Sequence, residues 1–321
     1  MNTTTPRDRL WRKRLNELSA VWPEFVSGRT RGLHKTRVAS RRIREALPIV
    51  AVAAPPAKVK KLNRKMRALT RALGPIRELD VELHILEDRA TPPGMSDRVL
   101  EIVRREITSR RQTLREELDG DAPVSDVKRL LKKLERVADG NGRRKGQGRK
   151  QKAEIKLEAE WRGVLAARLM RRAKRLRTTI DDAGPLYVPD RLHGVRISAK
   201  KLRYALEIAR DAGVAGTAPL LKILKRHQER LGDMHDLQML LKHVRETETA
   251  PGVGSNMGDL TVYADSLDRE CRRLHAGFVE HRDQLAVVVK EVRQQIVPAL
   301  TMPPRRQAHV TSTPHATSHA K

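Results

Sequence analysis

The sequence predicts an all-α protein made of two similar halves, and three observations lead there. Charged residues make up 33% of the chain, apolar residues 39% and aromatics 2%, a composition suited to amphipathic helices with narrow cores and poor for β-sheets, which favour β-branched and aromatic residues. Apolar positions recur at three- and four-residue intervals through most of the chain. One long pattern also occurs twice, at a period of about 150–160 residues, too long for a solenoid or propeller repeat and right for two domains.

The first helix is read from Leu10, Trp11, Leu15, Leu18, Trp22 and Phe25, ending at a Gly- and Thr-rich joint over 27–32. Next comes the stretch that organises the chain, residues 33–50. His34, Arg37, Arg41 and Arg44 lie three and four residues apart, which stacks them on one helical face, while Thr36, Ser40, Ile43, Leu47 and Val50 keep the same rhythm on a neighbouring face. A ladder of like charges repels itself unless a polyanion neutralises it, so this face reads as a phosphate site. After Pro55 and Pro56 a third helix spans about 58–73, with Lys60, Arg64, Arg67 and Arg71 as a second cationic stripe, until Gly74-Pro75 interrupts it. Helix resumes over 78–88, where Asp80 and His84 share a face and read as local ion pairing. Ser96 is a candidate N-cap for a helix reaching Leu118, and a last helix over 125–138 completes the first half.

Residues 140–152 are basic, Gly-rich and free of apolar residues, which predicts a flexible linker. The second half opens with a helix over 154–180 that keeps Trp161, Leu165, Leu169 and Leu176 inside and crowds Arg168, Arg171, Arg172, Lys174, Arg175 and Arg177 towards its end, more cations than a helix dipole needs. His193, Arg196, Lys200 and Arg203 then restate the ladder, with Asp190 as a candidate cap. The 220–231 helix retains a thinner stripe, Lys222 and Lys225, with Glu229 where Arg71 predicts a cation. Downstream, Leu73-Gly74 with Glu78 is answered by Leu231-Gly232 with Asp236. A continuation over 237–244, a loop over 251–258, one long or broken helix over 260–297 and a disordered tail over 301–321 complete the chain, with the halves at 1–139 and 153–300.

The duplicated motifs resemble those of the CHAD family, the conserved-histidine α-helical domain, over nearly all of residues 7–297: H-x-x-R-V-x-x-R-R-x-R from His34 to Arg44, its partial repeat from His193 to Arg203, and the two Leu-Gly segments. The resemblance implies two four-helix bundles related by a pseudo-twofold axis around a basic central cavity that binds inorganic polyphosphate. Its departures are Lys200 and Lys201 in place of arginines, Arg77-Glu78, and Met234-His235. Lysine neutralises phosphate as a point charge without the bidentate fork of arginine.

With 67 Lys+Arg against 39 Asp+Glu, a net charge of +28, the expected partner is anionic whatever its identity. The single cysteine, Cys271, excludes an intrachain disulfide framework. No phosphate-cradling glycine loop or Cys/His ligand spacing is present, and His315 with His319 sits in the tail, so neither cofactor nor metal is expected. Glu158-Ala159-Glu160-Trp161-Arg162 is superficially similar to the E-x-E-x-[KR] strand of triphosphate tunnel enzymes, but it falls in a helix. His34 and His193 have two readings, as phosphate donors heading a ladder or as histidines satisfied by a backbone carbonyl, and neither has an acid spaced for catalysis. The expectation is a non-enzymatic, cytoplasmic protein without a membrane span that binds polyphosphate and is drawn to its granules. Nucleic acid is expected as an electrostatic competitor, since three Trp, three Tyr and two Phe leave few stacking platforms. The alternatives are an electrostatic RNA- or DNA-binding protein, and an accessory subunit or scaffold for a polyphosphate- or triphosphate-processing enzyme.

Overall fold

The computed structural model describes residues 5–88, 97–119, 122–138, 147–249 and 257–302, and every element among them is helical. Helix α1 (Pro6–Val26) starts on Thr5, whose hydroxyl accepts from the Asp8 N–H, with Pro6 pre-set for the first turn. It buries Leu10, Trp11, Leu15, Leu18, Trp22 and Phe25, as the periodicity predicts. Gly28, at φ +82°, turns the chain, and α2 (Thr30–Val50) begins inside the stretch read as a joint. A Cβ on Gly32 would sit 2.4 Å from the Glu24 carbonyl carbon, so only glycine lets α2 close onto α1 here. That contact fixes the direction in which the first ladder points.

Helix α3 (Pro56–Ala72) and α4 (Gly74–Asp88) are separated by Leu73 alone. Next come α5 (Asp97–Asp119), α6 (Ala122–Ser125) and α7 (Val127–Ala138), so the helix expected over 125–138 breaks at Asp126. The second half begins with α8 (Gln147–Ala183), which starts inside the segment read as linker. Residues 139–146 lie outside the described residues, as do Ser96, 250–256 and the tail from 303 onward. Helix α9 (Pro189–Asp211) is capped at Val188, not Asp190: Pro189 sets the first turn one residue early and leaves Asp190 within it.

Helix α10 (Thr217–Glu248) runs straight through Leu231-Gly232, where the first half breaks. The difference lies one residue on. Pro75 follows Gly74 and lacks the N–H that a continuous helix needs, whereas Asp233 follows Gly232. The described residues end with α11 (Met257–His281), α12 (Asp283–Glu291), a π-helical turn over Val292–Ile296 and α13 (Val297–Thr301), which takes the first residue of the stretch read as a tail.

The order of packing recurs. In the first half α1 packs on α2, α2 on α3 and α4 on α5; in the second α8 packs on α9, α9 on α10 and α10 on α11. Trp11 and Trp161 occupy equivalent buried positions on α1 and α8, and the Trp11 indole donates to the Leu134 carbonyl on α7 at 3.1 Å. The halves meet along α2, α8 and α9, and again where α4 meets α10. Arg42 Nε donates to Glu207 at 3.1 Å and Arg14 to Asp211 at 2.8 Å, while buried Glu82 on α4 bonds His243 on α10. Both ladder helices are thereby held at the seam.

Candidate anion-binding cavity

The seam opens into a cavity of about 620 Å³. Arg37, Arg41 and Arg44 enter it from α2, Arg67 and Arg71 from α3, Arg168 and Arg172 from α8, and Lys200 and Lys201 from α9. Two carboxylates, Glu45 and Glu78, share the wall.

The first-half wall is held by short polar contacts between α2 and α3. The hydroxyls of Ser40 and Thr70 lie 3.1 Å apart, and Thr70 donates to the Met66 carbonyl at 2.8 Å. Arg37, only 8% exposed, donates to the Thr70 carbonyl at 3.4 Å beside Gly74, and Asn63 donates to the Arg44 carbonyl at 3.5 Å. Glu78, the acid after Leu73-Gly74, partly offsets the Arg37 charge. Asp236, the acid after Leu231-Gly232, approaches Arg196 at 3.7 Å. Each Leu-Gly motif therefore brings a carboxylate to the ladder of its own half.

The second-half wall depends on Glu45. Its buried carboxylate accepts from Arg168 Nε at 2.5 Å and Nη2 at 3.1 Å, and from Arg172 Nε at 3.3 Å and Nη2 at 3.2 Å. Burial alone would push this carboxyl up, but the hydrogen bonds and charges of Arg168 and Arg172 outweigh it and hold the pKa low. One α2 carboxylate thus aims two α8 guanidinium groups along the cavity wall.

Burial first, and then the crowding of cations, show in their titration. Burial, followed by Arg196 and Arg41, lowers Lys200 to about 7, and burial with Arg41 lowers Arg37 to about 10. Arg44 and Arg196 are depressed for the same reason, burial first. At the edge, His34 falls to about 4 through partial burial and the charges of Arg77, Arg37, Arg41 and Lys200. The ring of His193 lies tilted against that of His235 with centroids 4.7 Å apart, and His235 falls to about 3 through burial and Arg196. A bound anion would favour the charged form of each of these groups.

Of the residues singled out in the sequence, Arg37, Arg41, Arg44, Arg67, Arg71 and Lys200 line the cavity. His34, His193 and Arg196 are not among its lining residues but feel its charges, His34 those of Arg37 and Arg41, Arg196 that of Arg41, and His193 that of Lys200. Arg203 is turned away, held by Gln228 at 2.7 Å and by Glu207 at 2.5 Å, one helical turn on. Lys60 and Arg64 border an adjoining groove. Lys222 and Lys225 are exposed on α10, where Lys225 pairs with Glu229 at 3.4 Å, and line neither concavity. Asp80 is buried against Arg111 at 2.6 Å and His84 pairs with Asp88, so the expected Asp80–His84 face is split between two partners. Glu158 accepts from Trp161 and Arg162 on helical α8, which removes the likeness to a tunnel strand.

Sequence reasoning did not place Arg168, Arg172 or Glu45 in the site. The excess of arginines late in α8 was the available signal; Glu45 gave none, being one acid beside a run of bases.

A family profile, the CHAD domain, matches residues 9–245. The fold is similar to the crystal structure of the CHAD domain from the plant Ricinus communis, with a TM-score of 0.53 and 21% identity over 89% of each chain. It is also similar to PptA from Streptomyces chartreusis, with a TM-score of 0.53 and 13% identity over 90% of this chain and 99% of that one. At these identities the likeness is one of fold, and no curated protein matches the sequence. A profile match that takes in both cation ladders and both Leu-Gly motifs, on an all-helical scaffold shared with a CHAD structure, means that this chain belongs to the CHAD domain family.

Proposed function

We propose that the protein binds inorganic polyphosphate in the seam cavity without hydrolysing it. The observation that carries this reading is the convergence of Arg37, Arg41, Arg44, Arg67 and Arg71 with Arg168, Arg172 and Lys200, from opposite halves, on a single cavity. A linear polyphosphate carries charge on every unit, and guanidinium forks placed at successive helical turns can neutralise consecutive units by charge-assisted hydrogen bonds. Of the wall carboxylates, Glu45 is engaged as a counter-ion by two arginines, which argues against its serving as a general base.

Nucleic acid is the electrostatic competitor. Tyr204 is the aromatic residue of the lining, and its ring is covered by the Arg203 guanidinium at 4.9 Å, which leaves no platform for a base. Among the described residues no helix is long and apolar enough to cross a membrane. On this reading a cytoplasmic protein is recruited to polyphosphate granules, with any partner protein carried along. The deciding experiment titrates long-chain polyphosphate against single-stranded RNA of equal total charge at physiological salt. Polyphosphate should bind more tightly; a preference for RNA would overturn the assignment, and metal-dependent release of orthophosphate would move the protein to the enzymes.

A further inference from the structure

Arg67 and Asn63 belong to two concavities at once. On one side they complete the seam cavity; on the other they border a groove of about 650 Å³ on the outside of α3, with Ala57, Lys60, Lys61 and Arg64. Lys60, Arg64, Arg67 and Arg71 follow one another at four-, three- and four-residue steps, which places them on one face over about 16 Å of helix. Arg71 opens only into the cavity, Lys60 and Arg64 only into the groove, and Arg67 into both. One row of exposed cations therefore leads from the wall of the cavity to the outer groove.

The two ends of the row differ in their counter-charges. The cavity wall contains Glu45 and Glu78, while the groove lining contains no acid. Among the described residues Lys60, Lys61, Arg64 and Arg67 form no ion pair, whereas Lys65, off the groove, pairs with Asp126 at 3.3 Å. On α10 the corresponding Lys222 and Lys225 line neither the cavity nor the groove, and Glu229 offsets Lys225. A cavity of small-molecule size holds only a short piece of a long chain, so the remainder must leave by some route.

We propose that α3 is a one-sided exit track: a polyanion too long for the cavity leaves it past Arg67 and continues along Arg64, Lys61 and Lys60. The proposal rests on the reading of the cavity as a polyphosphate site. It makes the protein a measure of chain length, since every unit laid on the track binds intramolecularly once the cavity is filled. Two probes separate the cavity from the track. Tripolyphosphate is short enough for the cavity alone, and long-chain polyphosphate reaches beyond it.

In the variant K60E/R64E, tripolyphosphate should bind within about twofold of the wild type, while long-chain affinity falls roughly tenfold and its salt dependence becomes shallower by about two units of slope. The variant K222E/K225E makes the same change in net charge on exposed residues of α10 and should leave both affinities unchanged. Both substitutions are at the surface, and circular dichroism checks that each variant is folded. Unchanged long-chain binding in K60E/R64E, or an equal loss in K222E/K225E, would overturn the track and leave the cavity reading standing. Full retention of both affinities in R37E/R41E would instead overturn the cavity reading and the track with it.

Discussion

A Cβ on Gly74 would lie 3.0 Å from the Arg37 guanidinium, whereas a Cβ on Gly232, its counterpart in the second half, would meet nothing within 4 Å. The same motif glycine thus makes room for a ladder arginine in one half and occupies open helix in the other. Arg37 is buried and has little freedom to retreat. Gly74→Ala should displace it from the Thr70 carbonyl and weaken polyphosphate binding several-fold, while Gly232→Ala should leave binding intact and stabilise the protein by up to about 1 kcal/mol through helix propensity. Thermal melting and titration of both variants check the contrast.

Glu45 compensates two arginines that a ligand would otherwise have to neutralise. Glu45→Gln should destabilise the free protein by roughly 1–3 kcal/mol, less than for a fully buried pair because Arg168 and Arg172 are partly exposed. Polyphosphate should restore more stability to this variant than to the wild type, since phosphate takes over the vacated arginines. Urea unfolding with and without polyphosphate measures both effects, and an equal increment in the two proteins would remove Glu45 from the site.

Lys200 gives binding a pH dependence whose sign can be stated. Its pKa is about 7 in the folded protein against 10.5 unfolded, so across that window the unfolded chain holds more protons and the stability of the free protein rises with pH. His34, at about 4, and His235, at about 3, are depressed below 6.5, so stability falls as pH drops below 6.5. A bound polyanion favours the charged form of Lys200, and near pH 8 binding should take up as much as one proton. Calorimetry in buffers of different protonation enthalpy measures it, and Lys200→Met should abolish it. The charges that act on this amine are those of Arg196, Arg41, Asp236 and Arg203.

Ligand length should be visible in melting temperature. A ligand that binds only the folded state at a hundredfold excess over its dissociation constant adds about 2.7 kcal/mol. Long-chain polyphosphate should raise the melting temperature more than the same phosphate concentration given as orthophosphate or pyrophosphate. Equal effects would mean independent small-anion sites. R37E/R41E should lose this stabilisation, while reversal of Arg143 and Arg144 in the basic segment between the halves should retain most of it.

The ladders of α2 and α3 were legible in the sequence because a helix converts three- and four-residue spacing directly into a shared face. Periodicity also gave the core, from Trp11 to Trp161. What it could not give was the face presented to the other half. Lys222 and Lys225 match Arg64 and Arg67 in pattern, yet α10 runs unbroken past Gly232 and carries its cations to the surface. Arg203 continues the second ladder in spacing, but Glu207 one turn later captures it. Arg168 and Arg172 join the site only through Glu45, a contact across 123 and 127 positions of sequence, and pairing at that distance leaves no local trace.

That pairing also sets a time order. Synthesis delivers α2 well before α8, and domains generally fold as units with the N-terminal one first. When the first half folds, Glu45 and the arginines of α2 and α3 are in place but the guanidinium groups of Arg168 and Arg172 do not yet exist beside them. A nascent chain at that stage displays an open cationic surface to the anions crowded around the ribosome, with the two wall acids Glu45 and Glu78 among its bases. The cavity is complete only when the second half docks, so on the proposed reading selection for a particular polyanion belongs to the last step of the chain's maturation.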